Sequence, residues 1–276
     1  MYLPLQSIAL DGRQIKYRAQ GDGPDVLMIH GWASSGRMWG RLMDDLAGRF
    51  RCFALDLPGF GDSDKPESDW YTIQRYVELV CDFADALEIR QPAIIGHSMG
   101  GMIGLALAAD KTIGLSHLVA MNPIVTGRTH LNLRLLANTR LGWPMLKLGR
   151  WFWPVMASDF VGPWLRSDRA MQLRRTSDEW RDSTPVSLVS TIRAMSECDL
   201  TADLPEVTAP TMILLGNRDL AAPNAEGKLA ARRIPGARLV VLPTGHLPTD
   251  DLPEETAAVV ASFLTGSEVA ANLQRG

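Results

Sequence analysis

The sequence of 276 residues predicts an α/β fold with a mostly parallel, doubly wound sheet and an inserted helical cap. Short apolar runs alternate with amphipathic helical segments, which is typical of a parallel sheet that helices cover on both faces. The alternation stops over residues 124–197, which hold five of the 8 tryptophans, and it resumes after Pro210. We therefore expect a core domain of residues 1–123 and 198–276, interrupted by a cap or lid of residues 124–197.

The strands and helices follow from the apolar pattern in chain order. An antiparallel hairpin comes first, and its turn falls at Asp11-Gly12, a dipeptide that favours tight hairpin turns. Buried parallel strands read as continuous apolar runs, whereas helices show apolar residues at three- and four-residue spacing. Strands are predicted over residues 26–29, 51–55, 93–95, 118–121, 211–215 and 238–242, and helices over residues 38–50, 73–87, 102–108, 225–234 and 253–264.

Composition and charge exclude several classes of protein. Hydrophobic residues make up 46% of the chain and charged residues 21%, so a large core can form and disorder is not expected. The net charge of -3 gives no overall attraction to nucleic acid. The three cysteines lack metal-ligand spacing, so we expect reduced thiols and no metal site. No cofactor is expected. Without a signal peptide or a transmembrane run of ~20 apolar residues, the protein is expected to be cytoplasmic.

A Gly-x-Ser-x-Gly pattern joins an apolar strand to a helix rich in Ala and Leu, and the rest of the chain is organised around it. Ser98 lies at the centre of the pattern, where a sharp strand-to-helix turn exposes the hydroxyl and strains the backbone. Gly96 and Gly100 leave room for that turn, because a side chain at either position would clash. This context predicts that Ser98 is a nucleophile.

Two residues that follow later strands can activate the serine. His246 follows the last predicted strand, and Asp219 follows the strand before it. A serine hydroxyl needs a base to take its proton, and the base needs an acceptor on its other ring nitrogen. We therefore predict that His246 is the base and that Asp219 orients it, in the chain order expected for this turn. The alternatives are a turn residue or helix cap at Asp219 and a solvated loop histidine at His246.

Acyl transfer also requires hydrogen-bond donors for a developing oxyanion. The backbone amides of Met99, next after the serine, and of Trp32, in the loop after the first buried parallel strand, are the predicted donors. His30 and Gly31 are expected to support that loop, with a plain strand-ending turn as the alternative. His97 belongs to the serine turn, and we expect it to pack away from the hydroxyl.

Five motifs together resemble the α/β-hydrolase fold family over nearly the whole chain outside the inserted block. The resemblance implies catalytic roles for Ser98, Asp219 and His246, and oxyanion amides at Trp32 and Met99. The motifs are His30-Gly31-Trp32, Asp56-x-Pro-Gly-x-Gly-x-Ser63, Gly96-His97-Ser98-Met99-Gly100-Gly101, Gly216-x-x-Asp219 and Gly245-His246.

Differences between this sequence and several branches of the family narrow the choice of branch. Haloalkane dehalogenases and epoxide hydrolases carry an aspartate where this chain has Ser98, and epoxide hydrolases use lid tyrosines that residues 124–197 lack. Carbon–carbon bond hydrolases usually have Trp after the catalytic histidine, where this chain has Leu247. The resemblance favours a carboxylic-ester hydrolase, similar to small bacterial esterases and to the enzyme that demethylates pimeloyl esters. Thioesters, lactones and carbon–carbon bonds are alternative substrates, and a non-catalytic binding module is a further alternative.

The predicted cap differs from the core in charge. Residues 124–197 hold eleven basic and six acidic residues, a net charge of +5, and the rest of the chain carries −8. The simplest explanation is a solvated basic cap on an acidic body, and the sharper hypothesis is an anionic substrate or an acyl carrier protein. Apolar stretches at residues 141–146 and 151–156 suit a packed cap core, an acyl pocket or a membrane surface. The expected partner is a small ester with an apolar acyl part.

Overall fold

The computed structural model of the protein describes residues 4–127, 144 and 178–267. Its centre is an eight-stranded sheet, in which the first two strands run antiparallel to their neighbours and the others are parallel. The strands are β1 (Gln6–Leu10), β2 (Arg13–Gln20), β3 (Asp25–Ile29), β4 (Arg51–Leu55), β5 (Ala93–His97), β6 (His117–Met121), β7 (Thr211–Gly216) and β8 (Arg238–Leu242). Their order across the sheet is β1-β2-β4-β3-β5-β6-β7-β8. The predicted fold class and all predicted strands are confirmed.

Helices cover both faces of this sheet. They are α1 (Gly40–Leu46), α2 (Ile73–Ala86), α3 (Met99–Asp110), α4 (Pro185–Glu197), α5 (Asn224–Arg233), α6 (Pro248–Asp251) and α7 (Pro253–Thr265). The helix predicted over residues 38–50 differs in its bounds. A 3-10 turn over Gly36–Trp39 precedes α1, and α1 already ends at Leu46. The short helix α6 was not predicted, because four residues carry no periodicity.

The hairpin at the start of the sheet has the turn that its sequence predicts. Leu10 pairs with Arg13, so only Asp11 and Gly12 lie between the strands. Asp11 has φ of 47° and Gly12 has φ of 72°. Two successive left-handed residues form the turn whose twist matches that of the flanking strands, and Asp-Gly tolerates this conformation well.

The central strands are buried on both faces, as their continuous apolar runs predict. In β3, Leu27 and Ile29 pack into one core layer with α2 and α3. Val26 and Met28 pack into the opposite layer with α1 and α7. Because side chains alternate along a strand, each run of four apolar residues supplies both layers.

The two chain segments that join the core to the predicted cap lie side by side. Thr126 and Asp199 form an isolated antiparallel bridge, and the Gly127 amide donates to the Cys198 carbonyl oxygen at 2.9 Å. The buried carboxylate of Glu226, on α5, accepts from the Thr126 amide at 2.6 Å and also from the Val125 amide at 2.9 Å. The two ends of the predicted cap are therefore hydrogen-bonded to each other and to the core.

Within the predicted cap, the described residues are 124–127, Pro144 and 178–197. They include helix α4 and a helical stretch at residues 178–182. Of the five tryptophans of the predicted cap, Trp180 is described. Trp143, Trp151, Trp153 and Trp164 lie outside the described residues. Among the helices that the structure describes, none combines the length and the apolar composition that crossing a bilayer requires.

Candidate active site

The carboxyl ends of five neighbouring strands bring the candidate residues to one edge of the sheet. Ligand sites of parallel sheets lie at this edge, where the loops leave the strands. The residues, taken from β3 across to β8, are His30 after β3, Ser98 after β5, Asn122 after β6, Asp219 after β7 and His246 after β8.

Ser98 occupies a strained turn between β5 and α3. Its backbone has φ of 53° and ψ of −111°, a conformation that is rare for a residue other than glycine. The Ser98 amide donates to the Met121 carbonyl oxygen at 2.9 Å, and its own carbonyl oxygen accepts from the Met102 amide at 3.1 Å. These bonds to β6 and α3 hold the turn, as expected for a strained residue that its surroundings fix in place.

The glycines of the serine motif allow close backbone contacts. A Cβ on Gly96 would collide with the Gly100 carbonyl oxygen, and a Cβ on Gly100 would collide with the Ile29 carbonyl oxygen. The serine turn therefore packs directly against the end of β3. As a result, the loop after β3 lies beside the serine, and a Cβ on Gly31 would be only 3.2 Å from the Ser98 Cβ.

His246 and Asp219 form a direct hydrogen bond, with 2.7 Å between Nδ1 and Oδ2. The Asp219 side chain is fully buried, and its other oxygen accepts from the amides of Ala221 and Ala222 at 2.7 and 3.0 Å. Burial raises the pKa of the Asp219 carboxyl, but the bonds from His246 and the two amides outweigh burial and hold that pKa below its ordinary value. The ionised carboxylate accepts the proton on Nδ1, so Nε2 is the ring nitrogen that faces a reacting proton.

The turn that carries Ser98 contacts the histidine loop through His97. The ring of His97, the residue before Ser98, lies 4.6 Å from the ring of His246, centroid to centroid. Among the described residues, no hydrogen bond joins the Ser98 hydroxyl to His246. In structures without substrate this bond is often long, and it shortens when substrate binds.

Two residues outside the predicted set hold the His246 backbone. The His246 carbonyl oxygen accepts from His97 Nε2 at 2.7 Å and from Asn122 Nδ2 at 2.9 Å. Because a carbonyl oxygen only accepts, His97 must carry its proton on Nε2. The Asn122 side chain also accepts from the Gly216 amide at 2.8 Å and is almost fully buried. Asn122 thus connects the ends of β6 and β7 to the histidine loop.

The sequence contained a partial signal for these two residues. Asn122 stands directly after a buried strand and before Pro123, and its φ of 43° is left-handed. A polar residue at that edge is a candidate for binding or positioning, although its partner could not be foreseen. His97 is buried, as expected for a packing residue, and its ring in addition donates to the histidine loop, which the sequence does not predict.

His30 fixes the start of the loop after β3 with both ring nitrogens. Its Nε2 accepts from the Leu57 amide at 2.9 Å, so Nδ1 carries the proton and donates to the Gly31 carbonyl oxygen at 2.7 Å. The ring is fully buried, and burial lowers the pKa of His30 although Gly31 and Asp56 act in the opposite direction. The imidazole is therefore neutral, and it anchors the loop between two strands.

The backbone amides of Trp32 and Met99 are available as donors. Neither amide donates a hydrogen bond to any of the described residues. Met99 is the first residue of α3, and the first amides of a helix have no acceptor within it. Both amides lie in segments that pack on the serine turn, where a substrate oxygen could accept from them.

The loop after β4, which contains the Asp-x-Pro-Gly-x-Gly-x-Ser motif, has a supporting function. The Asp56 carboxylate is fully buried and accepts from the Gly36 amide at 2.7 Å and the Asp62 amide at 2.9 Å. The Ser63 hydroxyl donates to the Asp56 carbonyl oxygen at 2.5 Å. Asp56 therefore connects its own loop to the one that carries Trp32.

The described residues contain no cluster of three or more His, Cys, Asp or Glu side chains that could hold a metal ion. The three cysteines are free thiols, and Cys52 and Cys81 are buried. Burial raises the pKa of the Cys52 thiol to about 12, so this thiol is protonated at neutral pH.

Comparison with known proteins identifies the class. The chain belongs to the alpha/beta hydrolase family, whose family model matches residues 26–259. It is 29% identical to a pimeloyl-(acyl-carrier protein) methyl ester esterase of Nitrosomonas europaea over 263 residues, which cover 87% of this chain and 96% of that protein. The enol-lactonase of Burkholderia xenovorans LB400 has a TM-score of 0.79 and 25% identity, over 94% of this chain and all of that one.

A hydrolase from Pseudomonas aeruginosa is similar to the same extent, with a TM-score of 0.77 and 26% identity over 94% of this chain and 98% of the other. The matches extend over nearly the full length of both chains, so the likeness is not confined to one motif. The protein is therefore a hydrolase with the α/β-hydrolase fold.

Proposed function

We propose that the protein is a serine hydrolase that cleaves carboxylic esters through an acyl-enzyme. Ser98 is the nucleophile, His246 the general base and acid, and Asp219 the residue that orients His246. The observation that carries the proposal is the 2.7 Å hydrogen bond between His246 Nδ1 and the buried Asp219 carboxylate, beside a serine in a strained turn. A histidine oriented in this way can act as a general base, and Ser98 follows His97, whose ring contacts the ring of His246.

In the first half of the reaction, Ser98 Oγ attacks the ester carbonyl carbon while its proton passes to His246 Nε2. The carbonyl oxygen becomes an oxyanion and accepts from the amides of Trp32 and Met99. The carbon–oxygen bond to the alcohol then breaks, and His246 gives its proton to the departing oxygen. Asp219 stabilises the imidazolium that exists between these two transfers.

In the second half, water replaces the alcohol. His246 takes a proton from the water as its oxygen attacks the acyl carbon, and the same two amides hold the second oxyanion. Collapse of this intermediate returns the proton to Ser98 Oγ and releases the carboxylic acid. No cofactor is needed at any step.

The proposed substrate is an ester with an apolar acyl part, held between the core edge and a cap of residues 124–197. Support comes from Trp32, whose ring packs on Trp180, and whose indole Nε1 donates to the Leu188 carbonyl oxygen at 3.1 Å. An apolar wall beside the proposed oxyanion amides suits an acyl chain better than a charged group.

A carrier-bound acyl ester is a finer form of the same proposal. The relative from Nitrosomonas europaea is named for an acyl-carrier-protein ester, and residues 124–197 of this chain carry a net charge of +5. Exchange of Arg174 and Arg175 for glutamate is then expected to slow turnover of a carrier-linked ester and to leave small esters unaffected. Equal effects on both substrates would contradict the carrier hypothesis.

A burst experiment tests the proposed function. Rapid mixing with p-nitrophenyl butyrate is expected to release about one equivalent of p-nitrophenol per site before the steady state, as an acyl-enzyme accumulates. Ser98→Ala should abolish the burst, and Ser116→Ala, at an exposed serine away from this edge, should retain it. A panel of esters, thioesters and lactones of varied acyl length then ranks the substrates. A folded Ser98→Ala protein with undiminished turnover would refute the proposal.

A further inference from the structure

The loop that carries the Trp32 amide is not held by the core alone. Ala33 has φ of 54°, a left-handed conformation that is unfavourable for alanine and needs support from its surroundings. The core supports the two ends of the loop, through His30 at its start and through the Gly36 amide bonded to Asp56 at its end. Between these ends, the side chains of Trp32 and Ser35 contact the segment of the chain that begins at residue 178.

The side chains of Trp32, Ser35 and Arg37 bind one segment of the predicted cap, residues 178–188, which we call the cap segment. The Trp32 ring packs edge-on against Trp180, with ring centroids 5.7 Å apart and an interplanar angle of 84°. The Ser35 hydroxyl donates to the Glu179 carboxylate at 3.0 Å, and both residues are buried. Because these contacts come from successive parts of one short loop, they fix its position on the cap side.

An ion pair completes the contact at the edge of the loop. Arg37 donates to the Asp182 carboxylate at 2.6 Å with one terminal nitrogen and to Asp62 at 2.8 Å with the other. Asp62 also lies 3.5 Å from Arg18, so two arginines and two carboxylates alternate from the core to the cap. The Arg37 side chain is only 20% exposed, and a pair in this setting is stronger than a fully solvated one.

We propose that Ser35 and Arg37 are positioning residues. Ser35 binds Glu179 and Arg37 binds Asp182, and through these two pairs the cap segment holds the oxyanion loop, residues 30–37, in its catalytic geometry. The inference rests on the proposed function, because it assigns a task to the Trp32 amide. It extends that function, because the cap then acts on the chemical step as well as on substrate binding. A cap that loosens from residues 32–37 would displace one oxyanion donor while His246 stays in place.

The expected effects follow from the value of such a donor. Removal of one oxyanion donor typically lowers turnover about a hundred- to a thousandfold. Loss of one of several supports should cost less, and we expect Asp182→Asn to lower kcat about tenfold with little change in KM. Asp182→Glu keeps the carboxylate and should restore kcat to within about threefold of the wild type. Asp178→Asn is the matched control, because Asp178 pairs with Arg181 on an exposed part of the same segment.

A second readout separates positioning from a general loss of structure. An aryl trifluoromethyl ketone adds to a catalytic serine and forms an oxyanion, so its inhibition constant reports the oxyanion site directly. Asp182→Asn should raise the inhibition constant of the ketone by the same factor by which kcat falls. The dissociation constant of a non-hydrolysable substrate analogue that forms no oxyanion should stay unchanged. If Asp182→Asn does not fold, Ser35→Ala takes its place, with an expected loss of about fivefold in kcat.

The outcomes distinguish this inference from the proposed function. Unchanged kcat and inhibitor affinity in folded Asp182→Asn and Ser35→Ala, with an active wild type, would overturn the inference alone. A rise in KM without a fall in kcat would also overturn it, because the cap would then act only on binding. A wild-type protein that neither hydrolyses esters nor reacts with the ketone would instead refute the proposed serine hydrolase.

Discussion

The two loops that flank Ser98 differ in what holds them. The loop that carries His246 is fixed from within the core. Asp219 binds the imidazole, and His97 and Asn122 bind the backbone carbonyl of the same residue. Each of these contacts comes from a segment at the end of a sheet strand, so the acid–base side has the rigidity of the sheet itself.

The loop that carries Trp32 has mixed support. The core contributes His30, whereas the cap segment contributes Trp180 and Asp182 to neighbouring positions. The proposed base is thus held within the core, whereas the loop of the proposed oxyanion donor also contacts residues 178–188. Under the proposed function, contacts with residues 178–188 change oxyanion stabilisation without disturbing the base. Variants on the two sides should therefore affect different steps.

The largest effect is expected on the core side, from Asp219→Asn. An amide at this position can stabilise the wrong tautomer of His246 and cannot stabilise the imidazolium, so we expect kcat to fall about 10⁴-fold. Steady-state hydrolysis of p-nitrophenyl butyrate measures this change. Asp45→Asn, at an exposed aspartate on α1, is the matched control and should keep full activity. A loss smaller than tenfold would mean that Asp219 is not the partner of the base.

Asn122→Ala tests whether the core alone holds the histidine loop. The variant removes a donor to the His246 carbonyl oxygen and leaves the buried Gly216 amide without its acceptor. We expect kcat to fall about 10- to 100-fold and the free energy of unfolding to fall by about 2 kcal/mol. Activity assays and urea unfolding give the two values.

Asn122→Asp sharpens the same test. The aspartate keeps an acceptor for the Gly216 amide but faces the His246 carbonyl oxygen with a second acceptor. If the contact to His246 positions the base, this variant should lose activity and retain more stability than Asn122→Ala. Equal stability and full activity in both variants would show that Asn122 only fills space.

On the cap side, Trp32→Phe should have a smaller effect. Phenylalanine keeps an aromatic ring for Trp180 and the backbone amide, but it loses the donor to the Leu188 carbonyl oxygen. One neutral hydrogen bond of about 1 kcal/mol corresponds to a loss of about threefold to fivefold in kcat. Trp32→Ala, which also removes the ring contact, should lose more. If Trp32 served only to exclude bulky substrates, both variants would instead gain activity on such substrates, and this result would contradict the prediction.

The smallest expected effect is the pH dependence of folding stability that His30, the core support of the Trp32 loop, contributes. Burial lowers the pKa of His30 below its ordinary value of 6.5, so the unfolded chain binds this proton more readily than the folded protein. Stability should therefore fall as pH drops below about 6.5, by at most about 1.4 kcal/mol per pH unit. Urea unfolding at pH 7.5 and 5.5 measures the slope. His30→Asn should be less stable at pH 7.5 and show a shallower slope, and an identical slope would contradict this explanation.

Much of the fold was predictable because it depends on local patterns. Runs of apolar residues mark the buried strands, and Asp11-Gly12 marks the hairpin turn, since both depend on neighbours in the chain. The apolar spacing predicts that the helix continues to residue 50. In the structure α1 ends at Leu46, because the chain then turns back to enter β4. Local periodicity therefore predicts that an element exists more securely than where it ends.

The candidate site divides in the same way. Ser98 and His246 stand out because a motif and a strand end mark each of them. The contact between Asn122 and His246 joins residues 124 positions apart, and the contact between Arg37 and Asp182 spans 145 positions. Such pairs depend on which strand ends become neighbours and on where the cap returns to the core. One sequence carries no local trace of either arrangement.

Covalent labelling tests the central claim most directly. A fluorophosphonate reacts with a serine that a neighbouring base activates, and peptide mass spectrometry locates the adduct. We predict a single phosphonyl group on Ser98 in the wild-type protein, much slower labelling in Asp219→Asn and none in Ser98→Ala. An adduct confined to another residue, or no adduct on a folded protein that hydrolyses esters, would contradict it.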